Sequence, residues 1–118
     1  MKILIIDDEP LVRKSLSRAF ASKGHQVIEA SDGIEGLSRW TAEKPDMVFL
    51  DVLMPGLSGP QVLKEIGSQR TGKVILMSAY SGEHNVQTAA QIGADLFIAK
   101  PFDDIFVVVA EAEKLASK

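Results

Sequence analysis

The chain has 118 residues, 46% of them hydrophobic and 25% charged, which is typical of a globular domain and excludes a disordered chain. Its net charge of −3 argues against direct nucleic-acid binding, and the absence of cysteine excludes disulfides, thiol catalysis and thiolate metal sites. No apolar run is long enough for membrane insertion and no secretory signal precedes the first apolar run, so we expect one cytoplasmic domain, residues 1–118.

In chain order, the sequence predicts five strands that alternate with five helices. The strands are short apolar runs bounded by breakers: Lys2–Ile6, Gln26–Ala30, Met47–Leu50, Lys73–Met77 and Asp95–Ala99. The predicted helices cover about 10–23, 33–43, 58–70, 83–92 and 103–116. This alternation is typical of the α/β class and predicts a parallel, doubly wound (βα)5 sandwich.

Helical spacing also predicts which side chains enter the core. The first two helices should bury Val12, Leu16, Ala19, Phe20, Ile34, Leu37 and Trp40. Ser58 with Gln61 predicts a capping box, and Asp103 predicts the cap of the last helix. We interpret His25 and His84 as solvated surface side chains and not as metal ligands or phospho-acceptors.

Polar residues follow four of the five predicted strands. Asp7 and Asp8 follow the first strand, Asp51 the third, Ser78 the fourth and Lys100 the fifth. The carboxyl ends of parallel strands lie at one edge of a sheet, where ligands of such folds bind. Alone, Asp51 is explained equally well as a helix cap. Together, the five residues predict a site, provided that the strands follow the order 2-1-3-4-5.

The residue types at this edge predict phosphoryl chemistry. Three adjacent carboxylates repel one another, and oxygen-only ligands without histidine or cysteine suit Mg²⁺. Lys100 and the metal would neutralise the equatorial oxygens of a phosphoryl group, and the hydroxyl of Ser78 would donate to one of them. Asp51 is then the nucleophile, and the product is an aspartyl phosphate.

This arrangement closely resembles the receiver domain of two-component response regulators, the CheY-like family with a flavodoxin-like fold. The resemblance covers the whole chain and implies the strand order 2-1-3-4-5. It rests on Asp7-Asp8, Asp51 with Met54-Pro55-Gly56 and Gly59, Ser78-Ala79, Gly93-Ala94-Asp95, and Lys100-Pro101-Phe102.

The resemblance implies a role for each site residue. Asp51 would take a phosphoryl group from the phosphohistidine of a histidine kinase or a histidine phosphotransfer protein. Asp7, Asp8 and Asp51 would hold Mg²⁺ with the backbone carbonyl of Leu53. Lys100, with a cis bond to Pro101, would contact the phosphoryl group.

The resemblance also implies a switch and a docking surface. Ser78 would move toward the phosphate and Phe97 would turn inward, altering the surface formed by the fourth helix, the fifth strand and the fifth helix. The kinase would dock around Pro10–Lys14. Because Ile105–Val109 is a continuous apolar run, we expect a monomer or a weak phosphorylation-dependent dimer whose contact, led by Phe106–Val109, is apolar and insensitive to salt.

The lifetime of the phosphoryl group should depend on the side chains two positions past Asp51 and Ser78. These are Leu53 and Tyr80, which are bulky and carry no carboxylate or amide to position water. The sequence therefore predicts slow self-dephosphorylation, suited to a relay or a sustained switch.

Three other functions fit parts of the pattern. A haloacid-dehalogenase-like phosphohydrolase needs a second Asp two residues after its nucleophile, where this chain has Leu53. A flavodoxin-like cofactor binder needs a phosphate-cradling loop after the first strand, and an inactive pseudo-receiver would lack site residues. We therefore expect a phosphorylated signalling module with no enzymatic reaction on other molecules. It is either a complete single-domain regulator or the receiver portion of a longer one, and its downstream effector is open.

Overall fold

The structure is a computed structural model that describes residues 1–79 and 90–118. Its strands are β1 (Lys2–Ile6), β2 (Gln26–Ala30), β3 (Met47–Asp51), β4 (Lys73–Ser78) and β5 (Leu96–Ala99). Its helices are α1 (Pro10–Ser22), α2 (Gly33–Glu43), α3 (Gly59–Ile66) and the C-terminal helix (Ile105–Ala116), with a 3-10 turn at Gly67–Gln69. The predicted fourth helix and His84 fall largely or wholly outside the described residues.

The five strands form one parallel sheet in the order β2-β1-β3-β4-β5, as predicted. In this register Ile6 pairs with Leu50, Asp51 with Met77, and Ser78 with Ala99. Because the strands are in step, the residues that follow β1, β3, β4 and β5 emerge at the same edge.

Two apolar layers enclose the sheet because successive strand residues point to opposite faces. One layer packs against α2 and α3, and the other packs against α1 and the C-terminal helix. The largest fully buried side chains include Trp40, Phe20, Phe49 and Leu16. Trp40 also satisfies its indole N–H by donating from Nε1 to the carbonyl oxygen of Thr71 at 3.0 Å.

The helix starts follow the local sequence closely. Ser58 and Gln61 form the predicted capping box, in which each side chain accepts from the other residue's backbone N–H. The prediction for the last helix was wrong by one residue. Asp104, not Asp103, is the cap, and its Oδ1 accepts from the amide of Phe106 at 2.9 Å. Either aspartate is a favoured cap residue, so composition alone does not choose between them.

The predicted burial of Ile34 was wrong, since its side chain is 69% exposed. The buried face of α2 is centred on Gly33, Gly36 and Trp40. A Cβ at Gly36 would lie 2.7 Å from Cδ1 of Ile6, so the helix lies too close to the sheet for a larger residue there. The prediction counted only large apolar residues and therefore misplaced the buried face of α2, which contains two glycines.

Two other surface predictions need correction. His25 is not a solvated histidine, because its side chain is 14% exposed. Its Nδ1 lies 3.0 Å from the amino group of Met1 and its Nε2 lies 2.8 Å from Oε2 of Glu113. In the apolar run of the C-terminal helix, Phe106 and Val107 are exposed, whereas the next two valines are buried in the core.

Candidate functional site

The polar or charged residues that are buried as a whole in the described part of the chain lie at the carboxyl edge of the sheet. They are Asp7, Asp51 and Ser78, exposed by 0%, 3% and 1%. Asp7 directly follows β1, Asp51 ends β3 and Ser78 ends β4. Lys100 follows β5, and its amide donates to the carbonyl oxygen of Ser78 at 2.9 Å. The predicted convergence of the strand ends is therefore observed.

The ammonium of Lys100 lies among three carboxylates. Its Nζ is 2.8 Å from Oε1 of Glu9, 3.0 Å from Oδ2 of Asp7 and 3.4 Å from Oδ2 of Asp51. The peptide bond between Lys100 and Pro101 is cis, as the sequence resemblance implied. One buried cation thus offsets part of the negative charge of the site.

Burial and, after it, the negative charge of Asp7 raise the pKa of Asp51 from 3.8 to about 7, against the opposing effect of Lys100. Burial lowers the pKa of Lys100, but the hydrogen bonds to Glu9 and Asp7 outweigh it, so the pKa lies above its ordinary value. Lys100 therefore stays charged, whereas the ionised form of Asp51 is disfavoured unless more positive charge reaches the site.

A divalent cation fits this donor set. Asp7, Asp8 and Asp51 each offer a carboxylate oxygen, and the three oxygens lie within 4.8 Å of one another. Asp8 is exposed, which leaves an open side toward solvent. All donors are hard oxygens, which suits Mg²⁺, and the cation would relieve the repulsion that raises the pKa of Asp51. Leu53 lies in the loop directly after β3.

Two residues that hold the acidic edge were not predicted from the sequence. Arg13 of α1 donates from Nη1 to the carbonyl oxygen of Asp7 at 2.8 Å and from Nε to Glu29 at 3.0 Å. The amide of Glu9 donates to Oδ1 of Asp7 at 2.9 Å. Glu9 was visible as the third acid of the Asp7-Asp8-Glu9 run, but the pattern carried no signal that its side chain reaches Lys100.

The structure describes two of the three positions predicted to act in the aromatic switch and in the phosphoryl lifetime, Phe97 and Leu53 but not Tyr80. Phe97 of β5 is half-buried and packs against the apolar layer on the α2 and α3 side. Leu53 is 61% exposed, and Tyr80 lies outside the described residues. The inward turn of Phe97 that the resemblance implies stays a prediction.

A groove of about 480 Å³ adjoins the site between α1 and the segment after β5. Glu9 and Lys100 line it at the carboxylate end, and its other walls are mostly apolar. Those walls comprise Leu11, Val12, Ser15, Ala79, Pro101, Phe102 and Ile105. Leu11 is 84% exposed, so a large apolar side chain lies in solvent beside the groove. Among the described residues, no helix is both long enough and apolar enough to span a membrane.

Sequence comparisons agree with this geometry. Residues 3–110 match the family described as the response regulator receiver domain. Sporulation initiation phosphotransferase F of Bacillus subtilis is 38% identical over 103 residues, covering 86% of this chain and 83% of that protein. The regulatory protein AtoC of Escherichia coli is 39% identical over 119 residues, covering 98% of this chain but 26% of its own length. The chain thus spans most of the length of one relative and about a quarter of the length of the other.

Solved structures show the same fold. The receiver domain of NtrX from Brucella abortus superposes with a TM-score of 0.88 at 29% identity, and the match covers 98% of both chains. The response regulator TrrA from Thermotoga maritima, solved in complex with Mg²⁺ and BeF, gives a TM-score of 0.83 at 32% identity, covering 97% of both chains. Both are similar to this chain along almost their whole length.

Proposed function

Because this chain belongs to the family of response regulator receiver domains, a phosphorylation-activated signalling module, we propose that Asp51 is its phospho-acceptor and a histidine kinase or phosphotransfer protein its donor. The observation that carries the proposal is the buried cluster at the carboxyl edge, in which Lys100 contacts both Asp7 and Asp51. A buried, repelled carboxylate beside a fixed cation is poised to react with a group that brings its own oxygens to that cation.

The chemistry follows from the positions of these groups. An Asp51 oxygen forms a bond to phosphorus as the P–N bond of the donor phosphohistidine breaks. The electron pair of the P–N bond goes to the imidazole nitrogen. Lys100 neutralises the phosphoryl oxygens. Asp7, Asp8 and Asp51, with the carbonyl of Leu53, would hold Mg²⁺, which supplies further positive charge against those oxygens. The hydroxyl of Ser78 donates to one oxygen, and Phe97 turns further inward as the switch.

The groove beside the site supports a docking position for the donor protein. It adjoins Lys100, so a protein seated in it would present phosphohistidine close to Asp51. Its apolar walls and the exposed Leu11 offer area that a partner helix could bury. Leu11 and Val12 of the predicted docking segment Pro10–Lys14 line it.

The output of the whole protein is a separate proposal. The chain spans 83% of the sporulation phosphotransferase, but 42% of the PhoP regulator of alkaline phosphatase synthesis from Bacillus subtilis, 39% identical over 102 residues. Both a single-domain relay protein and the receiver portion of a longer regulator fit these shares. In either case we propose a cytoplasmic module, residues 1–118, without direct nucleic-acid contact. The intact mass of the native protein decides between the two.

The test is phosphorylation by a small donor. With acetyl phosphate or phosphoramidate and Mg²⁺, we expect the intact mass to rise by one phosphoryl group, and Asp51→Asn to abolish the gain. Asp46→Asn is the matched control, because Asp46 is exposed and directly precedes the opposite end of the same strand. Stoichiometric labelling of the Asp51→Asn variant would contradict the proposal.

Because Leu53 replaces the acid that a haloacid-dehalogenase-like enzyme needs, we expect no turnover of small phosphate esters.

A further inference from the structure

Glu9 occupies the N-cap position of α1, yet its side chain accepts no hydrogen bond from the helix. Its carboxylate reaches the carboxyl edge of the sheet instead, where Oε1 lies 2.8 Å from Nζ of Lys100. The amide of Glu9 donates to Oδ1 of Asp7, which fixes the backbone from which this side chain extends. The side chain of Glu9 therefore pairs with Lys100 and does not cap the helix.

Glu9 and Asp7 each accept a hydrogen bond from Nζ of Lys100, and Asp51 forms an ion pair with the same ammonium. An ammonium has three N–H donors, and Glu9, Asp7 and Asp51 all lie within 3.4 Å of Nζ. The Lys100 side chain is only 6% exposed, so water has little access to it. Phosphoryl oxygens on Asp51 would therefore compete with Glu9 and Asp7 for the same buried ammonium.

Glu9 is the partner whose release costs least. Its side chain is 57% exposed, whereas those of Asp7 and Asp51 are 0% and 5% exposed. A buried carboxylate that loses its cation keeps a large desolvation cost, but an exposed one is rehydrated by water. Asp7 and Asp51 also belong to the cluster that can hold a cation, and Glu9 does not.

We propose that Glu9 is a positioning residue that occupies Lys100 in the unphosphorylated chain and competes with the phosphoryl group for it. The inference rests on the proposed function, since the competition requires a phosphoryl group on Asp51. Glu9 keeps the lysine side chain extended across the strand ends and is displaced when phosphoryl oxygens arrive. The contact between Glu9 and Lys100 therefore stabilises the unphosphorylated form relative to the phosphorylated form. Glu9 itself forms and breaks no covalent bond.

The test uses beryllofluoride, which imitates a phosphoryl group on a carboxylate, titrated at saturating Mg²⁺ and followed by fluorine NMR. Glu9→Gln preserves the shape of the side chain and removes its charge, so we expect beryllofluoride affinity to rise about fivefold. Glu65→Gln makes the same charge change on an exposed residue of α3 and should stay within about twofold of wild type. A purely structural role for Glu9 predicts unchanged or weaker binding.

A second variant separates direct contact from the general field of the charge. Glu9→Asp keeps the charge but is one methylene shorter, so it should lose the contact with Lys100 and reproduce most of the gain. If Glu9→Asp binds as wild type does, competition by contact is wrong. Wild type that binds beryllofluoride no better than Asp51→Asn would overturn the proposed function and this inference together. Wild type that binds while Glu9→Gln binds equally or more weakly would overturn this inference alone.

Discussion

Lys100 Nζ lies 3.4 Å from Asp51 Oδ2, although β4 separates the strands after which the two side chains emerge. Two strand spacings amount to about 9.6 Å, so the lysine must extend along the strand ends, past Ser78, to reach the carboxylate. A short side chain at this position could not make the contact. The salt bridge therefore joins the far edge of the sheet to its centre and fixes the one cation of the described site beside the proposed nucleophile.

The raised pKa of Asp51 predicts a pH-dependent stability defect in the metal-free protein. The folded state binds this proton more tightly than the unfolded chain does, since the pKa rises from 3.8 to about 7. The free energy of unfolding should therefore fall as pH rises between these values, with an upper bound of about 4 kcal/mol. In EDTA at pH 8, we expect Asp51→Asn to melt above wild type by at least about 5 °C, and the gap to shrink toward pH 4.

The same experiment with magnesium provides the check. A Mg²⁺ ion held by the native carboxylates and not by the unfolded chain should raise the melting temperature of wild type. Asp8→Ala should weaken that response, since Asp8 belongs to the same three-carboxylate cluster. Asp46→Asn, which removes one exposed carboxylate just before the opposite end of the same strand, is the matched control for this gap. A melting temperature that is blind to magnesium, to pH and to these substitutions would mean that the carboxylates do not meet in solution.

Arg13 should matter for magnesium affinity more than its distance from the candidate ligands implies. Its Nη1 holds the carbonyl of Asp7 at 2.8 Å, so Arg13→Ala should loosen the loop that carries Asp7 and Asp8. We expect magnesium affinity to fall several-fold and the free energy of unfolding to fall by about 1 kcal/mol. Isothermal titration with MgCl2 and chemical denaturation measure the two quantities.

Lys14→Ala is the matched control for Arg13. Both residues pair with Glu29, but Lys14 is 60% exposed, and Asp7 is not among its hydrogen-bond partners in the described structure. We expect Lys14→Ala to leave magnesium affinity unchanged. Equal effects of the two variants would show that the shared glutamate, and not the Asp7 carbonyl, explains the result.

The positions of the strand-end residues were predictable because a charged residue directly after a buried apolar strand cannot enter the core and must lie at the edge of the sheet. Asp7, Asp51 and Lys100 could thus be placed at one edge from pattern alone. The contacts of Glu9 and Arg13 could not, because they depend on which way long side chains turn between elements distant in sequence. His25 shows the same limit, since its partner Glu113 lies in the last helix. Strand order came from the resemblance as much as from the alternation of elements.

Any dimer contact through the C-terminal helix should be apolar, but it should involve fewer residues than the whole run Phe106–Val109. Phe106 and Val107 are 54% and 55% exposed, and Val108 and Val109 are buried. Phe106 also lies under Nζ of Lys23, 5.9 Å from its ring centroid, so it faces α1, while Val107 points away from the core. Val107→Lys should therefore disrupt any phosphorylation-dependent dimer more than Phe106→Lys does.

Sedimentation of the beryllofluoride-bound form at several protein concentrations measures this association. Because apolar contacts are not screened, the dimer fraction should stay constant as salt rises to about 1 M. A dimer that dissociates at moderate salt, or that tolerates Val107→Lys, would place the contact elsewhere.

The last prediction concerns the lifetime of the phosphoryl group. Hydrolysis requires water in line with the bond between phosphorus and Asp51, and Leu53 and Tyr80 are the side chains two positions past Asp51 and Ser78. Leu53 is 61% exposed, so it can cover the phosphoryl group only by folding over it, and it offers no group that positions water. We expect slow decay after the donor is removed, with magnesium present. Leu53→Asn with Tyr80→Glu should shorten the lifetime about tenfold, equivalent to about 1.4 kcal/mol in the barrier. The single Leu53→Asn variant isolates the described position and should account for part of the change. Decay of wild type within seconds, or a double variant that is no faster, would show that these side chains do not limit the approach of water.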